Sequence, residues 1–191
     1  MFAFFAGLAA GLLHVFSGPD HLAAIAPLAA ERKRGQWRTG LQWGVGHTTG
    51  VLLIAWLLLT IRELVPLDTI SAYSERLVGF ALIGVGLWGV WKARRTTSVW
   101  HSHSGASFVI GTIHGLAGTS HLVGVLPALA FTTNAESWIY LAGFGVAAMA
   151  GMSAFAAGIG LLSIRGGGRN RWLFASSAIA LVVGGFWLVG H

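Results

Sequence analysis

Two histidines and an aspartate lie near the start of the chain, and a further histidine follows in the next apolar segment. These four residues are His14, Asp20, His21 and His47. Imidazole nitrogens are good ligands for divalent transition metals, and a carboxylate adds a hard anionic ligand. Such a set suits Ni²⁺, Co²⁺, Zn²⁺ or Cu²⁺, and imidazole alone does not choose among them. The residue types therefore predict a metal-binding site.

The spacing of the first two histidines predicts a distorted helix. His14 and His21 are seven residues apart, which places them on one face of a straight helix and about 10 Å apart along its axis. One ion with ligand bonds of about 2 Å cannot bind both at that separation. Gly18 and Pro19 lie between them, and a proline inside a helix removes a hydrogen bond and clashes with the preceding turn. We expect an interruption there that brings the imidazoles together or directs unwound backbone groups towards the ion.

The elements that carry these residues have the composition of a membrane protein. Hydrophobic residues make up 55% of the chain and charged residues 9%, whereas soluble domains contain about 25% charged residues. Six apolar segments are long enough, or nearly so, to provide the ~20 helical residues that cross a bilayer. They are residues 3–30, 39–61, 77–93, 107–131, 137–163 and 172–190. We predict an all-α polytopic membrane protein with six transmembrane helices in one domain, residues 1–191.

Burial in a membrane makes the four candidate ligands costly. An aspartate at the centre of a transmembrane helix costs about 2.5–3.5 kcal/mol. His14, Asp20, His21 and His47 therefore need a partner, water or a bound ion. The chain contains no cysteine, which excludes disulfides and cysteine-ligated zinc.

The formal net charge of +6 arises from basic residues that are concentrated in alternate loops. Ten of them lie in the first, third and fifth loops: Arg32, Lys33, Arg34, Arg38, Lys92, Arg94, Arg95, Arg165, Arg169 and Arg171. The second loop has Arg62 and Arg76 beside three acidic residues, and the fourth has Glu136 and no cation. This pattern follows the positive-inside rule. It predicts a multi-pass protein of the cytoplasmic membrane with both termini outside, and it gives no reason to expect a nucleic-acid partner.

The two halves of the chain are similar when one is shifted by one hundred residues. Residues 14–30 align with residues 114–130, with identity at six of the seventeen positions. One residue of slippage later, Trp43 aligns with Phe144. The halves, about 1–95 and about 105–191, each contain three predicted helices, and an odd number inverts the second half relative to the first. Inverted repeats are common in secondary transporters, whose substrate sites form on interrupted helices at the repeat interface.

The second repeat keeps the histidines but has no acid. His114 and His121 occupy the positions that match the first two histidines, whereas Ser120 stands where the first repeat has Asp20. These two histidines are interpreted as additional ligands, as a gate, or as interhelical hydrogen-bonding residues. His101 and His103, in the third loop, are interpreted either as part of a solvated linker or as a cytoplasmic metal-collecting patch.

At these residues the chain resembles the nickel/cobalt transporter family and its shorter six-helix relatives, which include membrane proteins associated with urease maturation. That family has a His-x4-Asp-His signature on an early helix and a Gly-His-Ser/Thr segment on the next. Here the first segment runs from His14 to His21 with one additional residue before Asp20, and the second begins at Gly46. The resemblance implies that His14, Asp20, His21 and His47 are needed for metal recognition and transport. Six helices are predicted here, where the longer members have eight.

The resemblance implies a secondary transporter of Ni²⁺, with Co²⁺ as the second choice, that works by alternating access. No nucleotide-binding or nucleophile motif is present, so we expect neither an ATPase nor an enzyme, and no prosthetic group. The implied partners are the lipid bilayer, the transported ion and a cytoplasmic nickel acceptor of the urease-maturation type. The alternative is a proton-coupled exporter of small anions of the sulfite type, with protonated histidines and with Asp20 as a proton relay.

Overall fold

Eight α-helices account for the secondary structure of the part of the chain that the structure describes. The computed structural model describes residues 1–32, 34–61, 67–94, 104–116, 119–166 and 168–189, without the side chains of residues 59, 61, 67–75, 104 and 119–123. The helices are α1 (Phe2–Ser17), α2 (Pro19–Glu31), α3 (Gln36–Ile61), α4 (Leu67–Ala93), α5 (Ser104–Leu116), α6 (Thr119–Leu129), α7 (Asn134–Arg165) and α8 (Arg169–Val189). No strand occurs within these described ranges, so the predicted all-α class is confirmed.

The predicted first helix is two helices. α1 and α2 meet at Gly18 with a bend of 72°, which confirms the interruption predicted at Gly18 and Pro19. Gly18 has extended backbone angles, φ −92° and ψ 96°. Pro19 is the first residue of α2, a position where its missing N–H leaves no hydrogen bond unmade. The local sequence therefore ends one helix and begins the next within a single residue.

The predicted fourth helix corresponds to α5 and α6, and the sequence marks this helix too as interruptible, at Gly115 and Gly118. Residues 117–118 between α5 and α6 lie outside the described residues. The predicted start of the third helix is corrected. α4 begins at Leu67, ten residues before the predicted start at 77. Hydropathy marks the part of a helix that suits hydrocarbon, and a helix can extend beyond that part into polar surroundings.

Within the described residues, four helices are long and apolar enough to cross a membrane. The spans are Gln36–Leu58, Arg76–Ala93, Asn134–Arg165 and Arg169–Val189, and the bent pair of α1 and α2 raises the number to five if the pair forms one span. Large apolar side chains such as Phe5, Trp56, Phe80 and Phe186 are more than half exposed. The described structure is therefore compatible with a helical protein embedded in a membrane.

The helices pack in pairs that cross the two halves of the chain. α1 lies along α7, α5 lies along α3, and α4 lies along α8, while α3 and α7 also pack on each other. α2 packs mainly against α8, with further contacts to α7 and α4. The first and second halves are therefore intertwined rather than separate.

Glycines allow these helices to touch through their backbones. A methyl group at Gly7 of α1 would overlap the carbonyl oxygen of Tyr140 on α7. A methyl group at Gly115 of α5 would likewise overlap the carbonyl oxygen of His47 on α3. Close contact through small residues is a general means of helix association in lipid. Here it also fixes α3, and with it His47, against α5.

Two apolar clusters surround the candidate ligands. One contains Trp43 and Ile25 with residues of α7 and α8, and the other contains Phe144 and Tyr140 with residues of α3 and α6. Trp43 and Phe144 each contact one or more of the histidine rings. The histidines therefore lie where the two clusters meet.

Candidate metal centre

Three histidines from three helices converge in the interior. His14 is in the last turn of α1, His21 is in the first turn of α2, and His47 is near the middle of α3. His21 and His47 are fully buried and His14 is 8% exposed. One ligand nitrogen from each ring lies within 4.8 Å of those of the other two. Among the described residues these three form the one group of histidine and acidic side chains arranged to hold a metal ion.

The distances are close to those of a metal site. Nε2 of His14 and Nε2 of His47 are 3.3 Å apart. Two nitrogens bound to one ion at about 2.0–2.1 Å, with a bond angle of about 90–110°, are separated by about 2.8–3.4 Å. The ring of His21 lies 4.6 Å from that of His14 and 5.0 Å from that of His47, centre to centre. The three rings are therefore close enough together for a three-nitrogen site.

The break at Gly18 is what brings His14 and His21 together. In a straight helix their positions would be about 10 Å apart along the axis, whereas their ring centres are 4.6 Å apart. A methyl group at Gly18 would overlap Nδ1 of His21 and would lie 3.1 Å from a carboxylate oxygen of Asp20. Glycine is therefore required here by the approach of the imidazole to the backbone.

Asp20 lies next to His21, beside the converging group. Its carboxylate lies 3.2 Å from Nδ1 of His21, and it is not a member of the converging group. This contact places the carboxylate beside the His21 ring. A carboxylate behind a ligating histidine fixes the orientation of the ring and raises its basicity. Asp20 also lies in the first turn of α2, where the helix dipole favours a negative charge.

Aromatic rings close the sides of the site. Trp43 stacks on His47 at 5.1 Å with an interplanar angle of 13°, and Phe144 lies 5.2 Å from His14. Such walls keep water out, which strengthens electrostatic interactions inside. No motif in the sequence predicts a site role for either ring, although the repeat alignment pairs Trp43 with Phe144. The spacing of Trp43 four residues before His47 is the signal that would have placed it on the same helix face.

A fourth imidazole lies beside the group. His114 of α5 is fully buried, with its ring 6.1 Å from that of His21 and 5.2 Å from Trp43. Its Nδ1 is 3.2 Å from the carbonyl oxygen of Ile110. Its Nε2 has no hydrogen-bond partner among the residues whose side chains are described. His114 is therefore a buried imidazole adjacent to the three-histidine group.

The remaining histidines predicted for the site cannot be placed in it. The side chain of His121 on α6 lies outside the described residues, and so do His101 and His103. Their assignments as gate residues and as a metal-collecting patch stay predictions.

Comparison with known proteins gives a partial match. The chain is similar to two proteins of Arabidopsis thaliana. It is 40% identical to "Chloroplast protein FOR GROWTH AND FERTILITY 2" and 38% identical to "Chloroplast protein FOR GROWTH AND FERTILITY 1", over 88 residues in each case. Each match covers 46% of this chain and 24% of the relative, so the chain matches about a quarter of the length of these curated relatives. No family model and no solved structure matches the chain.

Replacing Gly18 with alanine is expected to weaken metal binding without unfolding the protein. The added methyl group would displace the His21 ring from its position next to the α1–α2 break. Measurement of Ni²⁺ affinity on the purified variant should show a loss of about tenfold or more, comparable to the loss of an orienting group. Gly158→Ala on α7 is the matched control, because a methyl group there meets no atom within 4 Å. Unchanged affinity in Gly18→Ala would show that the break tolerates a side chain and does not set the position of His21.

Proposed function

We propose that the protein is a secondary transporter of a divalent transition-metal cation, Ni²⁺ first and Co²⁺ second. The observation that carries this proposal is the group of three buried imidazoles at a helix break. Nitrogen ligands favour Ni²⁺, Co²⁺, Zn²⁺ and Cu²⁺ over Mg²⁺, which prefers oxygen. The resemblance of the segment around His14, Asp20 and His21 to the nickel/cobalt transporter family is the reason for placing Ni²⁺ and Co²⁺ before the others.

The distribution of the ligands over three helices supports transport rather than permanent binding. His14 and His21 lie on opposite sides of a 72° bend, and His47 belongs to a third helix. A movement of α2 relative to α1 and α3 separates His21 from the other two nitrogens and releases the ion. Interrupted helices provide substrate sites in many secondary transporters for this reason. Asp20 supplies negative charge next to the site, which offsets the cost of moving a dication out of water.

We further propose six spans arranged as two inverted repeats. The first repeat consists of α1 with α2, then α3 and α4, and the second of α5 with α6, then α7 and α8. The packing supports this arrangement, because exchanging the repeats converts the α1–α7 contact into the α5–α3 contact. The α3–α7 and α4–α8 contacts are each converted into themselves. Alternating access would then be a rocking of one repeat against the other around the histidines.

We propose uptake as the direction of transport, because the membrane potential favours it. We place the protein in the cytoplasmic membrane with both termini outside, as the alternation of basic loops indicates. An inside-negative potential favours entry of a dication by about 4.6 kcal/mol per 100 mV, twice the value for one charge. Uptake therefore needs no further energy source, and a cytoplasmic nickel acceptor is the proposed partner.

Cysteine labelling tests the proposed orientation, because the natural chain has no cysteine. Gly105→Cys, at the start of α5, should be protected from a membrane-impermeant thiol reagent in whole cells. Thr132→Cys, between α6 and α7, should be labelled. Both positions are exposed in the structure, so burial does not explain a difference between them. Both cysteines should react once the cells are permeabilised, and the reverse pattern in intact cells would mean that the orientation is inverted.

Uptake into proteoliposomes tests the proposed function. With an inside-negative potassium diffusion potential, Ni²⁺ should enter vesicles that contain the protein, Co²⁺ should compete, and Mg²⁺ at the same concentration should not. Vesicles without protein give the background. Inhibition by Mg²⁺ equal to that by Co²⁺ would remove the basis for a nitrogen-ligated site. Sulfite flux without Ni²⁺ flux would instead establish the anion exporter.

A further inference from the structure

A cavity of about 480 Å³ lies between α2, α3, α4 and α5, away from the three histidines. Its volume falls in the range of roughly 300–1,000 Å³ that is typical of ligand pockets. Residues from all four helices line it, and none of His14, His21 and His47 does. The cavity is therefore separate from the metal centre, and the transport proposal makes no use of it.

The inner part of the cavity is apolar. Ala81, Gly84 and Trp88 line it along α4, and seven residues of helix correspond to a depth of about 10 Å. Leu28 of α2 and Ile110 of α5 line other sides. A methyl group at Gly84 would meet no atom within 4 Å. This space suits a hydrocarbon chain and offers few groups that could hold a hydrated ion.

Basic groups lie at the Trp88 end of the cavity, where Nζ of Lys92 is 5.2 Å from the centre of the Trp88 ring. Arg32 lines it just beyond the end of α2, next to Glu31. The carboxylate of Glu31 is paired with Nζ of Lys92 at 2.8 Å, which reduces its repulsion of an anion. Arg169, at the start of α8, is close enough to Lys92 to interact with it electrostatically. The charge at this end of the cavity therefore favours an anionic group.

Two helix beginnings add to this preference. Thr39 in the first turn of α3 and Ser107 in the first turn of α5 both line the cavity, and neither first turn contains an acidic residue. The backbone N–H groups of a first turn lack partners within the helix and carry partial positive charge. Thr39 is 2% exposed. Its hydroxyl has no hydrogen-bond partner within the described part of the chain. An anionic oxygen atom in the cavity would supply that partner.

We propose that this cavity binds an anionic phospholipid of the surrounding membrane. The acyl chain lies along α4 between Ala81 and Trp88, and the headgroup phosphate contacts Arg32 and the first turn of α3 at Thr39. Basic pockets between transmembrane helices have this combination of an apolar interior and a cationic rim. The cavity thus holds one phospholipid, and its headgroup lies at the side of the protein where α2 and α4 end.

Native mass spectrometry of the purified protein tests this site without any metal. Dioleoyl phosphatidylglycerol and dioleoyl phosphatidylcholine are added at equal concentration, and the lipid-bound species are compared. We expect the wild type to retain phosphatidylglycerol in preference. Arg32→Gln should reduce that preference about fivefold, the factor that corresponds to one basic residue at an anionic surface. Equal retention of the two lipids by the wild type would overturn the proposal.

A matched pair of glycine variants tests the position of the acyl chain. Gly84→Leu fills the cavity from α4 and should abolish retention of phosphatidylglycerol. Gly158→Leu on α7 adds the same side chain where a methyl group also meets no atom within 4 Å, but Gly158 does not line the cavity. It should retain the lipid as the wild type does, and both variants are first checked for an unchanged unfolding midpoint. If both retain the lipid equally, or both lose it, the lipid binds elsewhere and the proposed site is wrong. If Gly84→Leu alone has a lowered unfolding midpoint, Ala81→Val is used in its place. Ala81→Val should weaken the retention of phosphatidylglycerol, and full retention in that variant would also overturn the proposed site.

Discussion

Replacing His21 with alanine is expected to abolish metal binding at the central site. Among the described residues, His21 provides one of the three nitrogens that converge within 4.8 Å, and its ring lies next to those of His14 and His47. Two imidazoles cannot replace enough of the water shell of a dication in a buried site. The loss of Ni²⁺ affinity should therefore exceed the ~10–100-fold effect of removing an orienting group behind a ligand. Equilibrium dialysis on the purified variant measures it, and proteoliposome uptake should be lost with it.

His114→Ala is the matched control for this experiment. His114 is as completely buried as His21, so the two substitutions remove the same side chain from equally enclosed positions. Because His114 lies outside the converging group, its removal should slow uptake while leaving measurable binding. Both variants should give a cooperative unfolding transition, which separates loss of a ligand from loss of the fold. Normal affinity in His21→Ala, or complete loss confined to His114→Ala, would place the principal site on α5 instead.

Replacing Asp20 with asparagine is expected to lower Ni²⁺ affinity by about 10–100-fold without abolishing it. The carboxylate contacts Nδ1 of His21 at 3.2 Å, so it places negative charge beside the ring and stabilises the positive charge that the bound ion brings. Asparagine keeps nearly the same shape but loses the charge. The binding isotherm should keep its stoichiometry and shift to higher metal concentration. Uptake should fall with it, since a dication then enters the site without a neighbouring anion.

Glu136→Gln provides the comparison for Asp20→Asn. Glu136 is also an acidic residue in the first turn of a helix, α7, and it lies at an exposed position. Its neutralisation removes the same charge from the chain and should leave Ni²⁺ affinity unchanged. A complete loss of binding in Asp20→Asn, equal to that in His21→Ala, would mean that the carboxylate is itself a ligand. An affinity equal to that of the wild type would leave Asp20 without a role in binding.

Much of the fold could be predicted from the sequence because its determinants are local. Apolar segments long enough for a bilayer mark the helices, and Gly18 followed by Pro19 predicts the end of α1 and the start of α2. The hundred-residue repeat indicates which helices correspond, and it pairs Trp43 with Phe144. The start of α4 at Leu67 could not be predicted in the same way, because hydropathy reports what a segment is embedded in and not where its hydrogen bonds begin.

The candidate site was predicted in its residue types and not in its geometry. The sequence by itself determined that His14, His21 and His47 needed a partner, since ionisable side chains in an apolar chain are costly to bury. Only the tertiary structure decided that the bend at Gly18 turns the ring of His21 towards the other two. The direction of the His21 ring depends on the packing of α2 against α7, α8 and α4. These helices are far from α2 in the chain. The same packing places Asp20 beside His21 and outside the converging group. Asp20 and His21 are consecutive residues at the start of α2, so their side chains cannot both face the rings of His14 on α1 and His47 on α3.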